Sequence, residues 1–452
     1  MGDEKADSVL TSSGISNRTD MTAVFNSAQG QFDLNLNDSQ LQWEEKVDGQ
    51  KNKGVLVPLD EIIGLDLTES KQDCAIGDLS LHYIHHTKSS HVLKCKSTIF
   101  SAEIAICRQW LQSIQERQRS GFTQPKNLLV FINPISGNSH AEKVYCTQAA
   151  PLFTLAGIET DVIITESRHH CTEVLLDYDL SRVDGIVVCG GDGIYSECLN
   201  GLIKKNQKEA GVNSDDSETK VEKQVIPIGI LPCGTGNAIS AGCCGCVDVE
   251  TSALAIIMGR RRPSSVMSTF SGGNLLAHCG LFLAYGVISD SMYAAETNRE
   301  YAHRRLELEV SYLPADGTEE PNSTGTMKGN DSTQNQETAN SDWITVKGTY
   351  INIIQFIATL DQEKDRYAIE KSQSRLPLVL QTPCSKWQFM KYLYKTSKFD
   401  ESSLDFDFIN SYKVKAFKVK VISNERLEEN LQKCLDIDGE IVIFNGWEFE
   451  VR

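Results

Sequence analysis

The sequence predicts a multidomain protein of the α/β plus β class, and three observations carry that prediction. Short β-type segments fill the first hundred residues and end in one amphipathic helix. From Asn127 strand-like and helix-like segments alternate, and after Val266 strand-like segments return and continue to Arg452. A chain of 452 residues has room for two or three separate cores. Its 40% hydrophobic and 23% charged residues are the proportions of a globular protein. A formal net charge of −17 argues against a nucleic-acid partner, because no broad face could neutralise phosphates.

Taken in order, residues 1–20 are polar and are expected to be disordered. Residues 21–122 form the first domain, with strands expected in FDLNL, LQWEE, GVLVPLDEIIGLDL, LSLHYIHH and SHVLKCK. A helix is expected from Ala102 to Gln118, where Ile104, Ile106, Cys107, Trp110, Leu111 and Ile114 recur at helical spacing. Strands closed by one C-terminal helix resemble a pleckstrin-homology domain. Gln124-Pro125 marks the boundary to an α/β domain over 123–275, with strands in 127–132, 160–165, 183–190 and 226–231. Such alternation predicts a parallel sheet whose ligands bind at the carboxyl ends of the strands. Residues 276–452 are assigned to a β lobe. Two polar stretches, 207–224 and 314–342, read as insertions, the second as a disordered loop.

The N-terminal residues are polar and acidic, so no secretory signal is expected. Gly2 follows Met1, but Ala6 breaks the myristoylation pattern. Leu275 to Ile288, the most apolar stretch, is too short to span a bilayer and is interrupted by His278. The fourteen cysteines are scattered without paired spacing, as in a reducing compartment. The expectation is a cytoplasmic protein that meets membranes peripherally.

The strongest motif is Gly190-Gly191-Asp192-Gly193, at the end of a hydrophobic strand and directly before a helix at 194–204. Glycines allow a sharp turn and close approach of a ligand, and the helix start offers free amides to phosphate. On its own the motif also fits a plain strand–helix turn with Asp192 as helix cap. Two further small-residue loops end the first and fourth strands: Asn133-Pro134-Ile135-Ser136-Gly137 and Pro232-Cys233-Gly234-Thr235-Gly236-Asn237. Three such loops at three strand ends can converge on one phosphate-binding crevice. None fits a P-loop or a dinucleotide-binding fingerprint.

In this order the three motifs resemble the catalytic domain shared by diacylglycerol, sphingosine and ceramide kinases, whose α/β lobe is also related to NAD kinases. The similarity runs from about Lys126 to the end, outside the two polar stretches. It implies an ATP-binding α/β lobe, a C-terminal β-sandwich lobe and Mg²⁺ as cofactor, with calcium as a candidate regulator. Asp192 is implied as the general base, with Gly190, Gly191, Asp192 and Gly193 lining the lipid substrate. The implied ATP contacts are Asn133, Pro134 and Ile135; Thr165, Glu166, Ser167, Arg168 and His169; Glu197; Gly234, Thr235 and Gly236; Arg299 and Arg305; and Asp438, Gly439 and Glu440. Asp438 and Glu440 are the implied magnesium ligands. Phosphoryl transfer suits such a set, since it needs positioning and charge neutralisation more than covalent chemistry.

Four segments resemble ceramide kinases in particular: APLFTLAGIETDVIITE, DGIVVCGGDGIYSECLNGLI, CSKWQFMKYLYKTSKF and DFINSYKVKAF. Sphingosine kinases carry a second acid two residues after the position of Asp290, and here Met292 stands there. A site without that carboxylate suits a neutral lipid better than an ammonium. Membrane targeting by the N-terminal domain fits the same branch. Sphingosine and diacylglycerol remain alternative substrates. The short stretch between Ala302 and Tyr312 leaves a catalytically inactive lipid-binding scaffold open as well. NAD kinases also carry GGDG, but their following Asn-Glu motif is absent. Ser385 to Phe399 interleaves lysines with aromatic residues and could pack on the β lobe, or bind calmodulin or a membrane surface.

Overall fold

The computed structural model describes residues 20–46, 54–69, 74–88, 91–121, 123–217, 225–261, 263–297, 305–315, 342–356, 376–397, 401–422 and 433–452. The polar N-terminus and most of 314–342 lie outside the described residues. The chain divides into two units, the first ending at Gln124 and the second holding nearly everything after it.

In the first unit β1 (Met21–Ser27), β2 (Gly30–Leu36), β3 (Gln40–Glu45) and β4 (Val55–Pro58) form one antiparallel meander. The strands β5 (Ile62–Glu69), β6 (Ile76–His86) and β7 (Leu93–Glu103) form a second. Pairing of Asn26 with Ser101 joins them into seven strands in the order β4-β3-β2-β1-β7-β6-β5. Alternation sets the buried face: Phe32, Leu34 and Leu36 point inward and their neighbours outward. Helix α1 (Ile104–Gly121) covers that face with Cys107, Trp110 and Ile114. The Trp110 ring meets Phe25 edge-on at 5.4 Å. The run expected as one segment over 54–67 is broken at Leu59–Glu61, and Gln118 donates to the Leu59 and Ile62 carbonyls there. Strand β1 escapes a sequence reading because Phe25 is its one buried side chain.

The second unit begins with the alternating lobe. It contains β8 (Asn127–Ile132), α2 (Ser136–Ser139), α3 (Ala141–Val144), α4 (Ala150–Leu155), β9 (Glu159–Ile164) and α5 (His170–Asp177). Then come β10 (Gly185–Gly190), α6 (Asp192–Ala210), β11 (Ile228–Pro232), α7 (Ala238–Cys244) and α8 (Val249–Ile257). The four strands are parallel in the order β11-β10-β8-β9, and every residue of the central β10 is buried. Ile132 pairs with Cys189 and Gly190 with Pro232, so three loops leave one edge of the sheet together. Helix α6 runs past Lys204 to Gly211, whose left-handed conformation ends it, so the stretch at 207–224 begins as helix. Among the described residues no single helix is long and apolar enough to cross a membrane. The bent pair α7–α8 has the composition, but Ala253, Leu254 and Ile257 are buried inside the lobe.

The β lobe contains β12 (Met267–Ser271), β13 (Asn274–Cys279), β14 (Phe282–Gly286), α9 (Val287–Thr297), β15 (Leu306–Pro314) and β16 (Ile344–Tyr350). It continues with β17 (Asn352–Phe356), β18 (Leu376–Gln381), α10 (Lys386–Ser397), β19 (Ile409–Val421), β20 (Cys434–Ile437), β21 (Glu440–Ile443) and β22 (Glu448–Val451). Among the described residues these eleven strands belong to one sheet. This corrects the boundary expected at 275: β12 and β13 join the β lobe, because Met267 and Cys279 are part of its apolar core. Strand alternation divides the side chains between two faces. Leu283, Tyr285, Ile353, Leu378 and Leu380 enter the main core, while Ala284, Ile354 and Val379 pack with Tyr392 of α10 on the other face.

Candidate active site

The loop after β8 is shaped by its own first residue. The Asn133 side-chain oxygen accepts the Ile135 amide at 3.2 Å, and its carbonyl accepts the Ser136 amide at 3.2 Å. Ile135 is left exposed to solvent. Gly137 follows at positive φ, and a Cβ there would lie 2.1 Å from the Cys233 carbonyl oxygen of the loop after β11. The first and third loops therefore touch through backbone.

The second and third loops are closer still. The Gly190 carbonyl accepts the amides of Cys233 and Gly234, at 2.8 and 3.0 Å. A Cβ on Gly234 would sit 2.3 Å from Gly191 Cα, which no rearrangement of side chains could relieve. Asn237, buried and at positive φ, closes this loop upon itself: its side chain accepts from the Gly234 amide and donates to the Gly234 carbonyl. Thr235 and Gly236 remain exposed at its tip. The glycines of both motifs thus serve first to let two loops meet.

Gly191 caps α6, and Asp192 occupies its first turn rather than the cap position. Its two carboxylate oxygens accept the Ala238 and Ile239 amides, each at 3.0 Å, at the start of α7. An ionised carboxylate has about four acceptor positions, so two remain for a further donor. Glu197, one turn further along, faces the other way. It accepts the Cys171 amide at 2.7 Å and the Thr172 amide at 3.4 Å, fastening the start of α5. Its place is therefore behind the loop that contains Thr165 to His169.

That loop leaves β9 with Thr165 bonded to the Ile132 carbonyl. The Glu166 amide donates to His170 Nδ1, and His169 takes a left-handed conformation. Glu166, Ser167, Arg168 and His169 are exposed. The Arg168 guanidinium pairs with Glu440, drawing a residue of the β lobe to the loops. Glu440 also lies over the second loop, where a Cβ on Gly193 would come within 3.1 Å of its Oε1.

The Asp438-Gly439-Glu440 motif is a two-residue hairpin. Ile437 pairs with Glu440, and Asp438 and Gly439 both adopt positive φ. Asp438 is fully buried, with its oxygens accepting from the Gly280, Leu281 and Phe282 amides and the Cys279 thiol at 2.7–3.0 Å. Three of these donors meet Oδ1 and one meets Oδ2, and no part of the side chain reaches solvent. Asp438, expected as a magnesium ligand, is placed here beneath the turn that presents Glu440 and anchors it through these bonds. Among the described residues no three acidic, histidine or cysteine side chains gather as a metal cage. Magnesium held mainly by substrate phosphates and water needs only one or two carboxylates, and the half-exposed Glu440 fits that requirement.

Arg305 is exposed immediately before β15, apart from this network, and Arg299 lies outside the described residues. Two residues were missed in sequence. Cys189 and Cys233, at the roots of the second and third loops, place their sulfurs 3.4 Å apart. The hydrogen bond between them raises the Cys189 thiol and lowers that of Cys233. They are 44 positions apart, so spacing carried no signal.

The family model of the diacylglycerol kinase catalytic domain matches residues 127–269, a span that contains all three loops. Human ceramide kinase is 28% identical over 376 residues, covering 75% of this chain and 70% of that protein. Sphingosine kinase 1 of Arabidopsis thaliana is 27% identical over 71% of this chain and 69% of its own length. A crystal structure of a diacylglycerol kinase from Bacillus anthracis str. Sterne is 17% identical with a TM-score of 0.45, covering 73% of this chain and 95% of that one.

Proposed function

We propose, since this chain belongs to the diacylglycerol, sphingosine and ceramide lipid kinase family, that it transfers the γ-phosphate of ATP to the primary hydroxyl of ceramide. The observation that supports the reading best is the convergence of three glycine loops beside a carboxylate with acceptor positions to spare. The lipid hydroxyl oxygen forms the new bond to the γ-phosphorus, the bond to the bridging oxygen breaks, and ADP leaves. Asp192 accepts the hydroxyl proton, a contribution of roughly 10²–10⁴-fold. Backbone amides of the loops and the first turn of α6 bind the phosphates, and Arg168 adds positive charge. Glu440 would hold Mg²⁺, which supplies charge neutralisation across the phosphates.

Three features favour ceramide over a charged base. Met292 on α9 is an apolar side chain where an acid would hold an ammonium. The ceramide kinase of Mus musculus aligns over 78% of this chain. The N-terminal sheet with its single closing helix suits a pleckstrin-homology-like domain that brings the enzyme to a cytoplasmic membrane face such as Golgi or plasma membrane.

The test is transfer of labelled γ-phosphate from Mg-ATP to ceramide, sphingosine and diacylglycerol in parallel mixed micelles. Label on ceramide alone is expected. Label on sphingosine or diacylglycerol instead would keep the mechanism and overturn the substrate. ATP binding without transfer to any of them would identify a lipid-binding scaffold.

A further inference from the structure

Helix α10 has two apolar faces, and among the described residues the apolar core of the β lobe takes one of them. Phe389 and Tyr392 pack against Phe406, Phe408 and Ile409, and Tyr392 is only 2% exposed. Trp387, Met390 and Tyr394 recur at i, i+3 and i+7 and are 82, 60 and 66% exposed. At 100° per residue this stripe lies opposite the packed one. Lys386 and Lys391 border it on either side, both exposed. Lys395 is already engaged, bonded to Ser402 at 2.7 Å and lying over the Phe406 ring. No acidic residue occurs in the helix, although the whole chain has a net charge of −17. Scattered exposed apolar side chains need no explanation; a continuous aromatic stripe with a basic border does.

We propose that the outer face of α10 docks on an anionic bilayer. Trp387, Met390 and Tyr394 enter the boundary between headgroups and acyl chains, and Lys386 and Lys391 meet lipid phosphates. Charge selects the partner, since a basic strip on an acidic protein is drawn to an anionic surface. Shape selects a flat one. A protein that engulfs the helix would have to strip Phe389 and Tyr392 from the sheet and expose Phe408 and Val379 to water. A planar surface reaches the outer stripe while the inner one stays packed. This contact is separate from any made by the N-terminal unit and does not depend on which lipid is phosphorylated.

The test uses the full chain with vesicles of phosphatidylcholine, alone or mixed with phosphatidylserine. Wild type is compared with Trp387→Glu/Met390→Glu and with Lys386→Glu/Lys391→Glu, folding being checked by circular dichroism. Each double variant is expected to lower partition onto the mixed vesicles by about tenfold or more. The emission lost in Trp387→Phe should be the component that shifts to the blue on vesicle binding. Wild-type partition by both variants would overturn the proposal. So would a Trp387 signal that ignores vesicles and responds to calcium-loaded calmodulin. Phosphorylation of detergent-dispersed lipid should be unchanged in every variant, which separates a failure of docking from a failure of the kinase reading.

Discussion

Replacing Asp192 by Asn separates two roles that one carboxylate holds in this fold. The side chain accepts the Ala238 and Ile239 amides at 3.0 Å each, and it is the candidate base. Asn retains one oxygen and turns an NH₂ group toward the other amide, so one charge-assisted bond is lost and two donors face each other. A hydrogen bond to a charged group contributes about 1.5–3 kcal/mol, and that much local stability at the start of α7 should go. Loss of the base should lower turnover by a further ~10²–10⁴-fold. The assay pairs lipid phosphorylation with ATP titration and urea unfolding on the same preparations. The expected result is a moderately less stable protein that still binds ATP and whose turnover has nearly vanished. Wild-type turnover would refute the base assignment. A loss of turnover no larger than the loss of ATP affinity would reduce Asp192 to a positioning residue.

Three further predictions rest on single contacts. Gly234→Ala puts a Cβ 2.3 Å from Gly191 Cα, so the two loops must separate; ATP affinity measured by titration should fall, with a stability cost of about 1–3 kcal/mol. Asp438→Ala leaves three buried amides and a thiol without their acceptor, and the urea midpoint should drop by several kcal/mol equivalent at about 1–3 kcal/mol per group, whatever the metal concentration. Burial holds His278 down to about 4 from the ordinary 6.5, so the unfolded chain takes up a proton between those values and the native one does not. Stability should therefore fall as pH drops from 6.5 towards 4, by up to about 3 kcal/mol, and His278→Phe should flatten that limb in urea unfolding at pH 7 and pH 5.

Much of the α/β lobe was legible because its inner strands β8 and β10 are buried on both faces and read as unbroken apolar runs, while the exposed edge strand β9 still reads as an apolar VII run. The strand 185–190 and the loops at 133–137, 190–193 and 233–237 lie where the sequence pattern predicts. Strand β1 was not legible, since one buried Phe25 makes no periodic signal. The domain boundary was misplaced because β12 and β13 are short and partly polar, and their membership depends on pairing with β22. The Asp-Gly dipeptide at 438–439 is a strong hairpin signal that a functional motif overshadowed.

The sequence by itself determined the lobes, the three glycine loops and the kind of chemistry they suit, because local backbone freedom and burial periodicity are written in neighbouring residues. Only the tertiary structure decided what each carboxylate does. Asp192, Glu197, Asp438 and Glu440 are equivalent acids in a linear string. In the fold one spans two helices, one fastens α5, one is buried among four donors and one faces Arg168 at the loops. A carboxylate's role is set by the donors that surround it, and those donors come from residues distant in the chain.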